Sequence, residues 1–340
     1  MTPAKPQLMD ALSARARLAP QRVVLPEAEE ADVLRAARTV VDRGVASPVL
    51  LGRPEAVRAA AERAGVDLVG ATVLDPNDVT FSLRLKETAV RLYPGMGEKR
   101  IDRRLRDPLS VAALLVASGE ADAMVAGLTH TTQEVIVAAA GFIPLAEGVT
   151  KPYSLFLMRI PGYQGPEGEA IVFADCGVTI NPDAAQLAEI AVLSARAVER
   201  LFGWEPRVAL LSFSTHASGY DESVKKVREA LHIVREREPR LAVDGELQLD
   251  AAIVPDVAAR KAPGEQEVAG RANVLVFPDL NAGNIAYKCV QRFAKADAFG
   301  PFFLGLQKTA SDLSRGASVA DIVGVITLAG VQAAQMKQHP

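Results

Sequence analysis

The 340-residue chain is poor in the residues that mark several functional classes. Its two cysteines, Cys176 and Cys289, give neither a disulfide framework nor a metal spacing, so both are expected to be buried thiols in a reducing compartment. Its histidines, His130, His216, His232 and His339, share no metal-ligand spacing, and no metal is expected. Aromatic residues make up 5%, too few for the stacking platforms of a single-strand binder. A net charge of −3 argues against a nucleic-acid surface. No uninterrupted apolar run approaches the ~18 residues of a membrane span, and residues 1–7 have no apolar signal core. What remains, 49% hydrophobic and 23% charged residues, describes a globular chain, long enough for two domains and expected in the cytoplasm.

Short apolar runs alternate with amphipathic segments. Strands are expected at 22–26, 48–52, 121–127, 170–175, 207–213 and 273–278. Helices are expected at 27–44, at 54–65, after Asn181-Pro182-Asp183, and after Asp221 through Val224, Val227, Leu231 and Val234. The turn-rich stretch 161–168 reads as a surface hairpin or loop. Such alternation predicts an α/β fold with a mainly parallel sheet, whose ligands sit where strands end and helices begin.

That rule selects four segments. Gly127 to Thr132 carries His130, able to do acid-base work or to serve as a structural hydrogen-bonding residue. Ser214-Thr215-His216-Ala217-Ser218-Gly219 offers hydroxyls and backbone donors to a phosphate but lacks the P-loop pattern; an ordinary serine-rich turn is the alternative. In Asp279-Leu280-Asn281-Ala282-Gly283-Asn284, Gly283 permits close backbone approach, and the asparagines either orient a ligand or cap a helix. The fourth segment, 311–321, brings a hydroxyl (Ser314), a guanidinium (Arg315) and a carboxylate (Asp321) together as a loop enters a buried helix. These suit acyl transfer between a thiol and a phosphate: a donor for a carbonyl oxygen, a fork for phosphate and a base for the thiol proton. Ser318 and Asp321 also have capping-box spacing, so the carboxylate has a purely structural alternative. A basic cluster, Lys99, Arg100, Arg103, Arg104 and Arg106, is expected as a solvated helix face paired with Glu98, Asp102 and Asp107.

Taken in order, the motifs resemble those of the phosphate acetyl/butyryltransferase family, the phosphate acetyltransferases (phosphotransacetylases) in particular. The resemblance runs from Val23-Val24-Leu25-Pro26-Glu27 through Phe173-Ala174-Asp175-Cys176, Leu211-Ser212-Phe213-Ser214-Thr215 and 243–252. It continues through Lys261-Ala262-Pro263 and 277–285 to Asp312-Leu313-Ser314-Arg315-Gly316. Each motif alone is weak; the ordered set is specific.

The resemblance implies two three-layer α/β domains flanking a cleft, similar to isocitrate/isopropylmalate dehydrogenases. The first would be discontinuous, 1–148 and 300–340, and the second would span 149–299. It implies a homodimer, with no bound cofactor, acting on acetyl-CoA and phosphate or on CoA and acetyl phosphate. It assigns Asp321 as the base for the CoA thiol, Ser314 as donor to the acetyl carbonyl and Arg315 as the phosphate clamp. Thr131, Thr132, Ser214, Thr215, Asp279, Asn281, Gly283 and Asn284 would bind CoA or substrate. The two roles of Asp321 are compatible, because a helix N-terminus favours a carboxylate.

The chain departs from the family pattern in several places. Ala317 stands where many members have Cys, Val137 where an Arg is usual, Arg91-Leu92-Tyr93-Pro94-Gly95 where a more basic stretch is usual, and His216 where Gly is usual. Arg91 and the 99–106 cluster are the candidates to take over the missing charges. Two other readings are a phosphate acyltransferase for butyryl or propionyl groups, and a non-catalytic acetyl-CoA-sensing domain. Retention of Ser314, Arg315 and Asp321 disfavours the second. A dehydrogenase is disfavoured by the lack of a metal-binding carboxylate set.

Overall fold

The computed structural model describes residues 8–264 and 267–338, so the N-terminal segment 1–7 and His339 lie outside the described residues. The chain divides into two compact units, Met1–Pro152 with Leu306–Pro340, and Tyr153–Gly305.

Unit 1 contains α1 (Leu8–Leu18), β1 (Gln21–Leu25), α2 (Ala31–Asp42), β2 (Ala46–Leu51), α3 (Pro54–Ala64), β3 (Thr72–Leu74) and α4 (Val79–Leu92). It continues with α5 (Glu98–Arg104), α6 (Pro108–Ser118), β4 (Ala123–Ala126) and α7 (Thr132–Phe142). Unit 2 contains β5 (Tyr153–Arg159), β6 (Ala170–Ala174), α8 (Ala184–Phe202), β7 (Arg207–Leu211), α9 (Glu222–Arg237) and β8 (Ala242–Leu247). It ends with α10 (Leu249–Ile253), α11 (Pro255–Lys261), β9 (Val274–Val276), α12 (Leu280–Phe293) and β10 (Asp297–Leu304). The chain then returns to unit 1 with β11 (Thr309–Asp312) and α13 (Val319–Gln338).

Strands in unit 1 run in the order β3-β2-β1-β4-β11, and every pair is parallel. Fully apolar strands such as Ala123–Ala126 fit this arrangement, because helices cover both faces of a parallel sheet. Helix α13 packs against α1 and α2 and lies on β1, β4 and β11. It buries Ile322, Val323, Val325, Ile326, Leu328 and Val331 among others, at roughly 1.5–3 kcal/mol for each large side chain. By length and hydropathy it is the one described helix able to cross a membrane. Asp321, Thr327 and Gln332 interrupt its apolar run, and it is the buried helix expected after the 311–321 segment, a core helix of unit 1.

Unit 2 has the order β10-β5-β6-β9-β7-β8. Its β6-β9-β7-β8 pairs are parallel, as expected of a mainly parallel sheet, while β10-β5 and β5-β6 add an antiparallel edge. The stretch 161–168 is the connection of the β5-β6 hairpin. Asp183 and Asp221 cap α8 and α9 as expected.

Two further expectations change. Glu27 does not open a helix: α2 begins at Ala31, and the Glu27 carboxylate is held by backbone donors of another loop. In the basic cluster, Glu98 and Asp102 pair with Lys86 of α4, and Asp107 caps α6. Cys176 is buried, but Cys289 lies on the exposed face of α12, against expectation.

Candidate active site

In unit 1 the parallel strands β1, β4 and β11 end at the same edge, and three loops follow them. Asp312, the last residue of β11, is in register with Ala126, the last residue of β4. Beyond it Leu313 is buried, Ser314 half-buried and Arg315 exposed. A turn closed by Ala317 N donating to Ser314 O (2.9 Å) then leads into α13.

Ser318 and Asp321 form the capping box that their spacing predicted. The Ser318 amide and hydroxyl each donate to Asp321 Oδ2 at 2.8 Å, and the Asp321 amide donates to Ser318 Oγ at 3.2 Å. The carboxylate is thus pinned in the first turn of α13, close in sequence to Ser314 and Arg315. Arg315 makes no hydrogen bond or ion pair among the described residues, although its charge helps to lower the Glu134 carboxyl. Ser314 Oγ only accepts a long bond from Gly316 N (3.4 Å), which leaves its proton free to donate.

The loop after β4 is organised by Glu27, which follows β1. This buried carboxylate accepts from the amides of Gly127 (2.9 Å), Leu128 (2.9 Å) and Thr129 (2.7 Å), and from Thr129 Oγ1 (2.8 Å). His130 Nδ1 lies 2.8 Å from it. Burial alone would raise the Glu27 carboxyl, but the bonds from His130, Thr129 and Leu128 outweigh it and hold the group below its ordinary value. His130 is thereby oriented by Glu27, with its half-exposed ring at the edge of the loop. Thr131 caps α7 in a second capping box with Glu134.

Asp312 is the opposite case. It is fully buried, and its Oδ2 accepts from Thr132 Oγ1 while Oδ1 has no partner. Burial pushes its carboxyl up to about 7; Thr132, the Leu313 amide and Arg315 pull it down, and Glu27 adds to the rise. Two neighbouring carboxyls are thus driven apart, one ionised and one near neutrality, a pattern typical of functional sites. A cavity of about 290 Å3, lined by Glu27, Arg53, Asn77, Thr129 and His130 among others, opens at the same edge of unit 1.

The candidate residues of unit 2 serve its own loops. Ser214 is buried, donates to Glu246 Oε1 at 2.9 Å and accepts from Gly219 N. Thr215 is buried and exchanges bonds with Gln248. Both hydroxyls expected to meet a ligand are therefore engaged internally. Asp279 caps α12 by accepting from Ala282 N. Asn284 donates to Cys176 O, and Gly283 is required by the protein itself, because a Cβ there would come 2.7 Å from Asp175 O. Asn281 alone in that motif presents an exposed side chain with no hydrogen-bond partner among the described residues. A larger cavity in unit 2, about 470 Å3, is lined by His216, Arg228, His232, Arg235, Asp244 and Glu246 and holds none of the expected site residues.

The first-unit departures have visible consequences. Val137 is an exposed residue on α7. The Tyr93 hydroxyl donates to Phe142 O, and Arg104 sits against Gly141 and over the Phe142 ring at 5.6 Å. Burial, together with Arg100 and Arg103, lowers the Arg104 guanidinium. Glu27 and Asp312 were the residues missed as candidates. Both stand inside motifs that carried the resemblance, but nothing in their spacing announces two carboxyls buried side by side. Among the described residues no group of three His, Cys, Asp or Glu side chains is placed to hold a metal ion.

Comparison with known proteins converges on one family. The family model described as phosphate acetyl/butaryl transferase matches residues 7–330. A phosphate acetyltransferase of Acetivibrio thermocellus is 42% identical over 95% of this chain and 97% of its own length. Some relatives are longer: the chain spans 45% of the phosphate acetyltransferase of Salmonella typhimurium, also at 42% identity. Among solved structures, a phosphotransacetylase from Streptococcus pyogenes superposes with a TM-score of 0.87 at 39% identity, covering 96% of this chain and 98% of that one. The α/β fold extends to a branched-chain phosphotransacylase from Enterococcus faecalis V583, with a TM-score of 0.68 at 17% identity, covering 92% of this chain and 99% of that one. With motifs, fold and near full-length similarity in agreement, the chain belongs to the phosphate acetyl/butaryl transferase family.

Proposed function

We propose that the chain catalyses acetyl-CoA + phosphate ⇌ CoA + acetyl phosphate, by direct attack of the CoA thiolate in a ternary complex. The observation that carries this reading is the loop between β11 and α13: a half-buried hydroxyl with a free proton, an unpaired guanidinium and the carboxylate of Asp321 in the helix turn that follows. Arg315 forks onto the phosphate or phosphoryl oxygens. Ser314 donates to the acetyl carbonyl oxygen as negative charge gathers there. Asp321 accepts the thiol proton, because the thiolate is the competent nucleophile.

In the direction of acetyl-CoA formation, the C–S bond forms while the bond from the acetyl carbon to the phosphate oxygen breaks. Phosphate leaves with the electron pair, and the proton held by Asp321 returns to solvent or to the phosphate. An acyl-enzyme is disfavoured. Cys176 is buried and its thiol is pushed well up by desolvation and by Asp175, while Ser314 has no imidazole bonded to it among the described residues. CoA is a substrate here, and no resident cofactor enters. The reading extends to a homodimer in the cytoplasm, supported by the family resemblance. Asn281, exposed and unpaired, is the unit 2 side chain best presented to CoA.

The test supplies acetyl-, propionyl- and butyryl-CoA with phosphate to the purified protein and follows free thiol. Phosphate-dependent release fastest with acetyl-CoA is expected. Faster release from butyryl-CoA selects the larger-acyl reading, and no phosphate-dependent release from any of the three sinks the enzyme reading. R315Q is expected to raise the phosphate KM by roughly 10–100-fold, the worth of one charged hydrogen-bonding fork.

A further inference from the structure

We infer that Asp312 takes up a proton when a tetrahedral oxyanion occupies the Ser314–Arg315 loop and gives it back when the anion leaves. The inference rests on the reading of that loop as the phosphate subsite. Asp312 has no exposure to solvent, Oδ1 has no hydrogen-bond partner among the described residues, and Oδ2 accepts from Thr132 Oγ1 of α7. A glycine at 127 keeps room for the carboxyl. The residue stands two positions from Ser314 and three from Arg315, so an anion bound there brings negative charge close to a carboxyl already desolvated.

The direction follows from the surroundings. The groups acting on Asp312 are Glu27 after β1, Thr132 on α7, the Leu313 amide and Arg315 on its own loop; His130 bonds Glu27, Glu134 on α7 feels Arg315, and Asp321 follows in the first turn of α13. Arg315 is the cation that lowers the Asp312 carboxyl, and Glu27 is the ionised neighbour that raises it. An oxyanion neutralises Arg315 and adds a charge of the same sign as Glu27, so both changes favour protonated Asp312. The group sits at about 7 before the ligand arrives, so the uptake falls in the neutral range. By reciprocity, protons and anion then bind cooperatively. Inorganic phosphate changes its own charge in this range, which would mask the effect. Sulfate remains a dianion and is the cleaner probe.

The experiment titrates the full chain with sulfate by calorimetry at pH 6, 7 and 8, in buffers of different ionisation enthalpy. Wild type is expected to lose about fivefold in sulfate affinity from pH 6 to 8 if the anion raises the proton affinity of Asp312 about tenfold. Net proton uptake should appear near pH 7. D312N keeps an acceptor for Thr132 and is expected to bind sulfate with a flat profile and no uptake. His130 bonds Glu27, the carboxylate that raises Asp312, so H130Q is run alongside and should keep the wild-type slope. R315Q should weaken the binding by roughly 10–100-fold, as for phosphate, placing it at this loop. Equal slopes in wild type and D312N, a flat profile in H130Q, or no sulfate binding overturns the inference. If sulfate binds with the expected slope while the acyl-CoA assay shows no transfer, the functional reading falls and the proton linkage stands.

Discussion

Ser318 and Asp321 hold each other across the first turn of α13, with both donors of Ser318 on one carboxylate oxygen and the Asp321 amide returning the bond. The arrangement serves the cap and the proposed chemistry at once, because only Oδ2 is used and Oδ1 remains for a thiol proton. The two functions separate by mutation. D321N keeps an acceptor for Ser318, so its stability should change by less than ~1 kcal/mol, whereas turnover should fall by at least ~100-fold with the loss of a general base. S318A removes the cap, should cost about 1 kcal/mol, and frees the carboxylate to leave its position, with a smaller loss in kcat. Denaturant midpoints and initial rates on the same samples decide the matter: turnover of D321N equal to wild type would leave the carboxylate with its capping role alone.

Gly127 exists where it does because of Asp312. Its φ is +112°, and a Cβ there would lie 1.9 Å from Asp312 Oδ1 and 2.8 Å from the Leu313 amide. G127A should therefore destabilise unit 1 by several kcal/mol, more than the ~1 kcal/mol of an ordinary surface glycine. In the D312A background the clash with the carboxyl disappears but the approach to the Leu313 amide and the left-handed strain remain, so the cost of G127A should shrink without vanishing. A double-mutant cycle from urea unfolding measures this coupling, and additivity of the two changes would refute the steric account.

The parts of this site that could be read from sequence are those set by local rules. Capping spacing located Ser318 with Asp321, and strand-to-helix transitions located the loops, because both depend on residues a few positions apart. Long-range partners could not be read this way. Glu27 meets Gly127, Leu128 and Thr129 a hundred residues away, and its place in the sequence, just after an apolar strand, looks like the start of a helix. Asp312 looked like a loop residue because Thr309–Asp312 is short and mostly polar, and its burial comes from pairing with β4 and from α7 and α13 packed on β11. The same limit hid the fates of Ser214 and Thr215, whose partners Glu246 and Gln248 lie on a different strand and at the cap of α10. The antiparallel pairing of Tyr153–Arg159 with its two neighbours was not legible, because a strand buried on both faces reads alike in either direction.

At the opposite end of the unit 1 strands, Asp122 ties the sheet to the last turn of α13. Its Oδ1 receives Arg22 Nη2 at 2.8 Å and Lys337 Nζ at 2.9 Å, and its Oδ2 receives the Arg22 amide at 2.8 Å. Burial opposes ionisation, but Arg22 and Lys337 prevail and hold the carboxyl at about 2, below its ordinary 3.8. Because the folded value lies below the unfolded one, the stabilisation is complete above pH ~4 and is lost as pH falls through ~2. The difference corresponds to about 2 kcal/mol. D122N should therefore be about 2 kcal/mol less stable than wild type at pH 7, and the gap should close as the solution is acidified to pH 2. Transfer activity at pH 7 should be nearly unchanged, since the substitution lies at the far end of β4 from the Ser314–Arg315 loop. Urea titrations at pH 7, 4 and 2.5 give the three points needed, and a gap that stays constant across them would show that Asp122 contributes through shape rather than charge.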